Sequence, residues 1–175
     1  MADALTIQEK FGPAKGLNVT YVGDGNNVAV SLMHACAQLG WNFTVASPEG
    51  YDLNQEPISL AIKIGERTGS QFKFLRDPHE AVKGAQVIYT DTWTSMGQEE
   101  ETAKREKVFP PYQVNAALVN EADKDVIVMH CLPAHRNHEL TDEVADGPHS
   151  VILPQVTFGI AVRMAVMSLL GSPGP

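Results

Sequence analysis

Leu17-Asn18-Val19-Thr20-Tyr21-Val22-Gly23-Asp24-Gly25-Asn26-Asn27-Val28 is the stretch that decides the fold. An apolar, β-branched run over residues 17–22 passes straight into a turn-forming cluster, Gly23 to Asn27, which also supplies an N-cap. Val28, Leu32, Cys36 and Leu39 then recur at three and four, and Gly40 closes the helix as a C′ residue. A strand feeding a helix through a short polar turn is the unit of a parallel sheet, and the rest of the chain repeats it. The pattern predicts further strands over residues 43–46, 72–75, 86–91 and 126–130, and a last short one over 150–153. Pro57 opens a helix with Ile58, Ala61, Ile62 and Gly65 as its buried stripe, and Asp77-Pro78 starts a short helix through Val82. Residues 92–107 are the most charged part, with residues 98–101 opening a surface helix that Pro110-Pro111 ends. Short helices over 113–119 and from Thr141 to Val144, and a final one over 156–170, complete an α/β pattern without internal repeats.

Composition bounds the function. The chain has 175 residues, 43% apolar and 19% charged, enough for one domain with a packed core and unlike a disordered or fibrous protein. A net charge of −8 argues against nucleic acid as a partner. Gln155, Thr157 and Arg163 interrupt the longest apolar stretch, so no membrane span is expected, and a polar start from Met1 to Lys10 points to the cytoplasm. Two cysteines, Cys36 and Cys131, suit a reducing compartment rather than a disulfide framework.

In such sheets ligands bind beyond the carboxyl ends of the strands, where three clusters stand out. The first, residues 23–27, invites a dinucleotide reading, but the fingerprint needs a small residue where Val28 stands, which disfavours a nicotinamide cofactor. A plain turn and cap is the alternative, although two adjacent asparagines exceed what a cap requires, and an amide there can both accept from an ammonium and donate to a carboxylate. The second cluster, Asp91-Thr92-Trp93-Thr94-Ser95-Met96-Gly97, opens with a carboxylate at a buried strand end and closes with a glycine. Asp91 could hold a cation while Ser95 and the backbone at Met96 and Gly97 hydrogen-bond a polar ligand; a capping aspartate is the alternative. The third sets His130 and Cys131 before Leu132-Pro133, a candidate cis bond. Adjacent strand residues face opposite ways, so this histidine and this cysteine are poorly placed to pair, and zinc would want a second cysteine-containing pair, so no metal is expected.

Together these motifs resemble, in order and spacing, the ornithine-binding half of the ornithine carbamoyltransferases. Val22 to Val28, Asp91 to Gly97 and His130 to Pro133 carry the resemblance, which extends over most of the chain. It implies that Asn27 binds the carboxylate end of ornithine, that Asp91 binds its α-ammonium, and that Ser95 and Met96 reach the substrate from a closing loop. It further implies that Cys131 lines the site near the reacting amine and that the Leu132 carbonyl receives the carbamoyl NH₂. The implied reaction joins carbamoyl phosphate and L-ornithine to give L-citrulline and phosphate, a step of arginine biosynthesis with no cofactor.

Two departures accompany the match. The family's other half holds carbamoyl phosphate through Ser-Thr-Arg-Thr-Arg and His-Pro-x-Gln motifs, and neither occurs in this sequence. Where ornithine enzymes carry Glu-Asn-Arg, this chain has Thr157-Phe158-Gly159, and its last helix is more similar to that of the aspartate carbamoyltransferases. The expectation is therefore a single Rossmann-like three-layer domain over residues 1–175, with a flexible tail at 171–175. It would bind L-ornithine but not turn over alone, existing as a monomer or a non-native dimer, with a carbamoyl phosphate domain in another chain as a possible partner. The alternative is an engineered or structural folding unit whose motifs are relics.

Overall fold

A computed structural model describes residues 1–94, 97 and 99–171. Ser95, Met96 and most of the expected tail, residues 172–175, lie outside the described residues. Five strands form one sheet: β1 (Asn18–Val22), β2 (Asn42–Ala46), β3 (Phe72–Leu75), β4 (Val87–Thr90) and β5 (Ile127–His130). Their order is β3-β2-β1-β4-β5 and every pairing is parallel, with Val22 opposite Ala46 on one side and Thr90 on the other. The chain steps outward from β1 to β3 and then returns to lay β4 on the free side of β1. The seam between β1 and β4 is thus the point where the winding reverses, and Asp91 stands directly beyond it.

Period-two alternation divides the core into two layers. Val19, Tyr21, Val87, Tyr89, Ile127 and Met129 point into one cluster, while Val22, Ile88 and Val128 point into the other. The first layer is covered by α1 (Ala2–Phe11), α2 (Asn27–Leu39) and α3 (Gln55–Thr68), and α8 (Ile152–Gly171) meets it through Gln155, which donates to the Tyr89 hydroxyl. The second is covered by the short helices α4 (Pro78–Ala81), α6 (Ala116–Val119) and α7 (Asp142–Ala145). This is the three-layer, Rossmann-like α/β arrangement that the alternation of strands and helices predicts. A 3₁₀ turn over Glu99–Glu101 leads into α5 (Thr102–Val108).

Several local expectations change. The expected strand over 150–153 is a single bridge from Ser150 to Val128, and α8 begins at Ile152. Pro154 falls in the first helical turn, where its missing N–H costs nothing, so the apolar Val151-Ile152 pair reads as a strand but starts a helix. In α3, Ile58, Ala61 and Gly65 are buried as expected but Ile62 is 44% exposed. Gly65 is where the Phe72 ring packs, since a Cβ there would lie 2.6 Å from Phe72 Cε2. Finally, α8 has 20 residues with a mean hydropathy of 1.5 and 17% of it buried, so by length and composition it is a candidate membrane span. Its first turns nevertheless belong to this domain, because Gln155 is buried and α1 packs along the helix.

Candidate functional site

The loop after β1 folds as it does because of two residues. Gly25 lies so close to the backbone of residues 51–53 that a Cβ would stand 2.5 Å from Leu53 N, and its own N–H donates 2.9 Å to the Tyr51 carbonyl. Asn26 is the N-cap of α2, its Oδ1 accepting from the N–H groups of Val28 and Ala29 at 2.9 and 3.2 Å. The same side chain reaches across the seam, where Nδ2 donates 2.8 Å to Asp91 Oδ2. The other oxygen of Asp91 accepts from the Thr92 N–H at 2.8 Å and from the Cys131 thiol at 2.9 Å. One carboxylate, 8% exposed, thus ties together the ends of β1, β4 and β5.

Asn26, not singled out from the sequence, grips Asp91, whereas Asn27, expected to meet a ligand carboxylate, takes no part in that contact. Asn27 starts α2 as an exposed side chain with no hydrogen bond among the described residues, and it stands on the wall between two clefts. The doubled asparagine therefore divides the work: Asn26 caps and holds, Asn27 faces outward. The first cleft, of about 620 Å³, is lined by Asn27, Asp91, Thr94, Glu106, Leu132 and His138 among others. The second, of about 470 Å³, lies past Asn27 and Leu132 and includes Tyr89, Cys131, Gly159 and Arg163. Asn27, Asp91, Cys131 and Leu132, four of the residues singled out from sequence, are brought together around this ridge.

At the end of β5, Leu132 has φ 56°, a left-handed conformation rare for a branched side chain, and the Leu132-Pro133 peptide is cis. The Leu132 N–H donates 2.8 Å to His130 Nδ1, which places the His130 proton on Nε2, 3.1 Å from Glu139 Oε1. His130 and Glu139 are both fully buried, so this histidine shapes the turn rather than meeting a ligand. Burial alone would raise the Glu139 carboxyl, but hydrogen bonds from His130 and from the His135 N–H outweigh it and hold its pKa below the usual value.

Burial and then the Asp91 hydrogen bond push the Cys131 pKa well above that of a free thiol. At neutral pH it is a thiol that donates to Asp91, not a thiolate nucleophile. Asp91, His130 and Cys131 bring potential ligand atoms within 4.8 Å of one another, closer than the strand alternation suggests. They are the residues that could hold a divalent ion, but the thiol proton would have to leave and the Leu132 N–H would lose its acceptor, His130 Nδ1. No such step is needed for the arrangement as it stands: an oriented carboxylate beside an open, partly apolar cleft suits a ligand ammonium.

One participant is missed by sequence reading. Arg105 sits in the charged stretch expected to be a solvated helix face, yet it is 4% exposed. Its Nη1 donates 2.6 Å to Asp24 Oδ2 and 2.7 Å to the Trp93 carbonyl, and its Nε donates 3.0 Å to Glu101 Oε2. The spacing of Glu101 and Arg105, four apart, was the available signal.

Comparison with known proteins agrees with this geometry. The family model described as "Aspartate/ornithine carbamoyltransferase, Asp/Orn binding domain" matches residues 15–170. An ornithine carbamoyltransferase of Gloeobacter violaceus is 50% identical over 97% of this chain, and one of Thermococcus kodakarensis is 51% identical over 97%. Each match covers 54% of the relative, so the chain spans about half the length of the curated relatives it matches. The crystal structure of the Gloeobacter violaceus enzyme superposes with a TM-score of 0.90 at 46% identity, over 98% of this chain and 57% of that one. The ornithine carbamoyltransferase from Pyrococcus furiosus superposes with a TM-score of 0.92 at 49% identity, over 98% of this chain and 56% of that one. A buried carboxylate at the winding seam, the three strand-end motifs around it and matches that cover most of the chain lead to one conclusion: this chain belongs to the aspartate/ornithine carbamoyltransferase family, as its amino-acid-binding domain.

Proposed function

We propose that this chain binds L-ornithine as the amino-acid half of an ornithine carbamoyltransferase. The observation that carries the reading is Asp91, held from three sides yet still lining the first cleft. A fixed, buried carboxylate attracts the α-ammonium of a diamino acid and repels the extra carboxylate of aspartate. Asn27, with its amide uncommitted, meets the carboxylate end of the ligand, and Ser95 and Met96 complete the contacts from the loop beyond Thr94. The δ-amine then points past Cys131 and Leu132 toward the second cleft.

In the full reaction, the neutral δ-amine attacks the carbonyl carbon of carbamoyl phosphate. The new C–N bond forms, the bond from carbon to the phosphate oxygen breaks, phosphate leaves and the amine sheds its extra proton. Cys131, kept protonated, adds no negative charge beside the amine, and the Leu132 carbonyl accepts from the carbamoyl NH₂. The chain requires no organic cofactor or metal for these roles. Turnover requires a carbamoyl phosphate domain, supplied by another part of a longer chain or by another chain, because proximity of the two reactants is otherwise missing. Cytoplasmic location and a place in arginine biosynthesis follow from the same reading.

Calorimetric titration with L-ornithine and, separately, with L-aspartate tests it. Heat with ornithine alone supports the site. Heat with aspartate alone would contradict it, and silence with both would favour a folding unit with relic motifs.

A further inference from the structure

We propose that Arg105 is a positioning residue of this site, fixing the Asp91 carboxylate by tying together the two loops that flank it. Its effect on a ligand rests on the ornithine reading above; its effect on Asp91 does not. Asp24, which accepts from Arg105 at 2.6 Å, lies two residues before Asn26, the residue that holds Asp91 Oδ2. The Trp93 carbonyl, which accepts at 2.7 Å, lies two residues after Asp91. One planar guanidinium therefore holds the Asp24 side chain of the loop after β1 and the Trp93 carbonyl of the loop after β4, the two loops that flank the carboxylate, and its third contact, to Glu101, ties in the turn that precedes α5.

The surroundings of Arg105 are built for this purpose. The guanidinium carbon lies 4.8 Å from the centroid of the Tyr51 ring and 5.8 Å from that of Phe109, and the Trp93 ring packs on Phe109 at 5.9 Å. Arg keeps its charge and its fork of donors at any ordinary pH, where Lys would offer a single point of contact. Burying an arginine and an aspartate is rarely worth more to stability than well-packed apolar side chains. The pair is better accounted for by what it orients: α5 has only seven residues, too short to hold its place without tertiary anchors.

Cys131 reports on the position of Asp91 without any ligand. Its thiol donates to Asp91 Oδ1, and Cys36, the other cysteine, is fully buried. Asp3, His130, Tyr21 and Tyr89 also face the Cys131 thiol from α1, β5, β1 and β4, and none of them touches Arg105. The test is the pH–rate profile of Cys131 with a disulfide reagent, measured on the 175-residue chain beside R105M/D24N, which removes both charges and leaves neither unpaired. Release of Asp91 is expected to lower the Cys131 pKa and speed its reaction at pH 8.5 by about tenfold, one pKa unit. R105K, which keeps the charge but not the fork, is expected to fall between the two. L-Ornithine affinity is expected to weaken about tenfold in R105M/D24N, about 1.4 kcal/mol.

A cooperative melt for R105M/D24N with a Cys131 profile that superposes on the parent would overturn the positioning role, whatever ornithine does. A shifted profile in R105M/D24N, beside a parent chain that gives no ornithine heat, would uphold the positioning role and remove the ornithine reading. If R105M/D24N does not melt cooperatively, R105K decides, and an unshifted profile there overturns the proposal.

Discussion

Asn26 Nδ2 stands 2.8 Å from Asp91 Oδ2, joining residues 65 positions apart across the seam where the sheet reverses its winding. The amide that donates this bond also caps α2 through its oxygen, so the start of a helix and the floor of the cleft are fixed by one side chain. N26A should therefore lower stability by about 1–2 kcal/mol through the lost cap and, in the same protein, weaken ornithine binding. N27A should leave the melting temperature within a degree or two and still weaken binding, since no hydrogen bond within the described residues depends on that side chain. Thermal melts paired with calorimetry separate the two outcomes.

Gly25 has a different sensitivity. A methyl group at this position would meet the backbone of residues 51–53 at 2.5 Å, so G25A must push two loops apart. A cost of about 1–3 kcal/mol is expected, read as a shift in denaturation midpoint at unchanged slope.

Glu139 sets an acid limit. Its folded-state pKa is lowered, so it contributes stability at pH values above the usual carboxylate range, and this contribution is lost as pH falls through the folded value. Burial of Asp24 acts in the opposite sense: Arg105 only partly offsets it, its pKa is raised, and its contribution declines as pH rises through that value. E139Q is expected to flatten the acid side of the stability profile below about pH 5, measured by chemical denaturation across pH 3 to 7.

The apolar face of α8 should make the chain self-associate. Leu153, Ile160, Met164 and Met167, at helical spacing along one face, are each more than half exposed, with Leu169 and Leu170 exposed beside them, more uncovered apolar surface than a monomeric soluble domain usually shows. A concentration-dependent mass above 19.0 kDa by light scattering is expected, returning to the monomer in I160E/M167K. A monomer at every concentration would count against this.

The sequence alone gives the strand order's raw material and the three strand-end motifs, because a buried parallel sheet writes its strands as apolar runs and its turns as Gly, Asp and Asn. The strand-end motifs lead to Asn27, Asp91, Cys131 and Leu132, all of which line the clefts, but not to Asn26 as the side chain that caps α2 and grips Asp91, since nothing local distinguishes a capping asparagine from its neighbour. Arg105 is read as surface because it lies in the most charged part of the sequence; Asp24 and Trp93, 81 and 12 residues away, and the Tyr51 and Phe109 rings bury it, contacts that a local reading does not contain. The strand expected over 150–153 fails for a similar reason: Gln155 locks onto Asp3, Tyr89 and the His130 N–H, contacts that no window of sequence contains.

A citrulline assay on the isolated chain with both substrates should show no turnover above the uncatalysed rate, because nothing here supplies the second reactant's phosphate-binding motifs.

The most direct measurement is calorimetric titration of L-ornithine into this chain beside D91N. Binding to the parent that weakens by about 2–4 kcal/mol in D91N, with D91N still melting cooperatively, is the expected result. Equal ornithine affinity in the two would contradict the assignment of Asp91 as the ammonium-binding carboxylate.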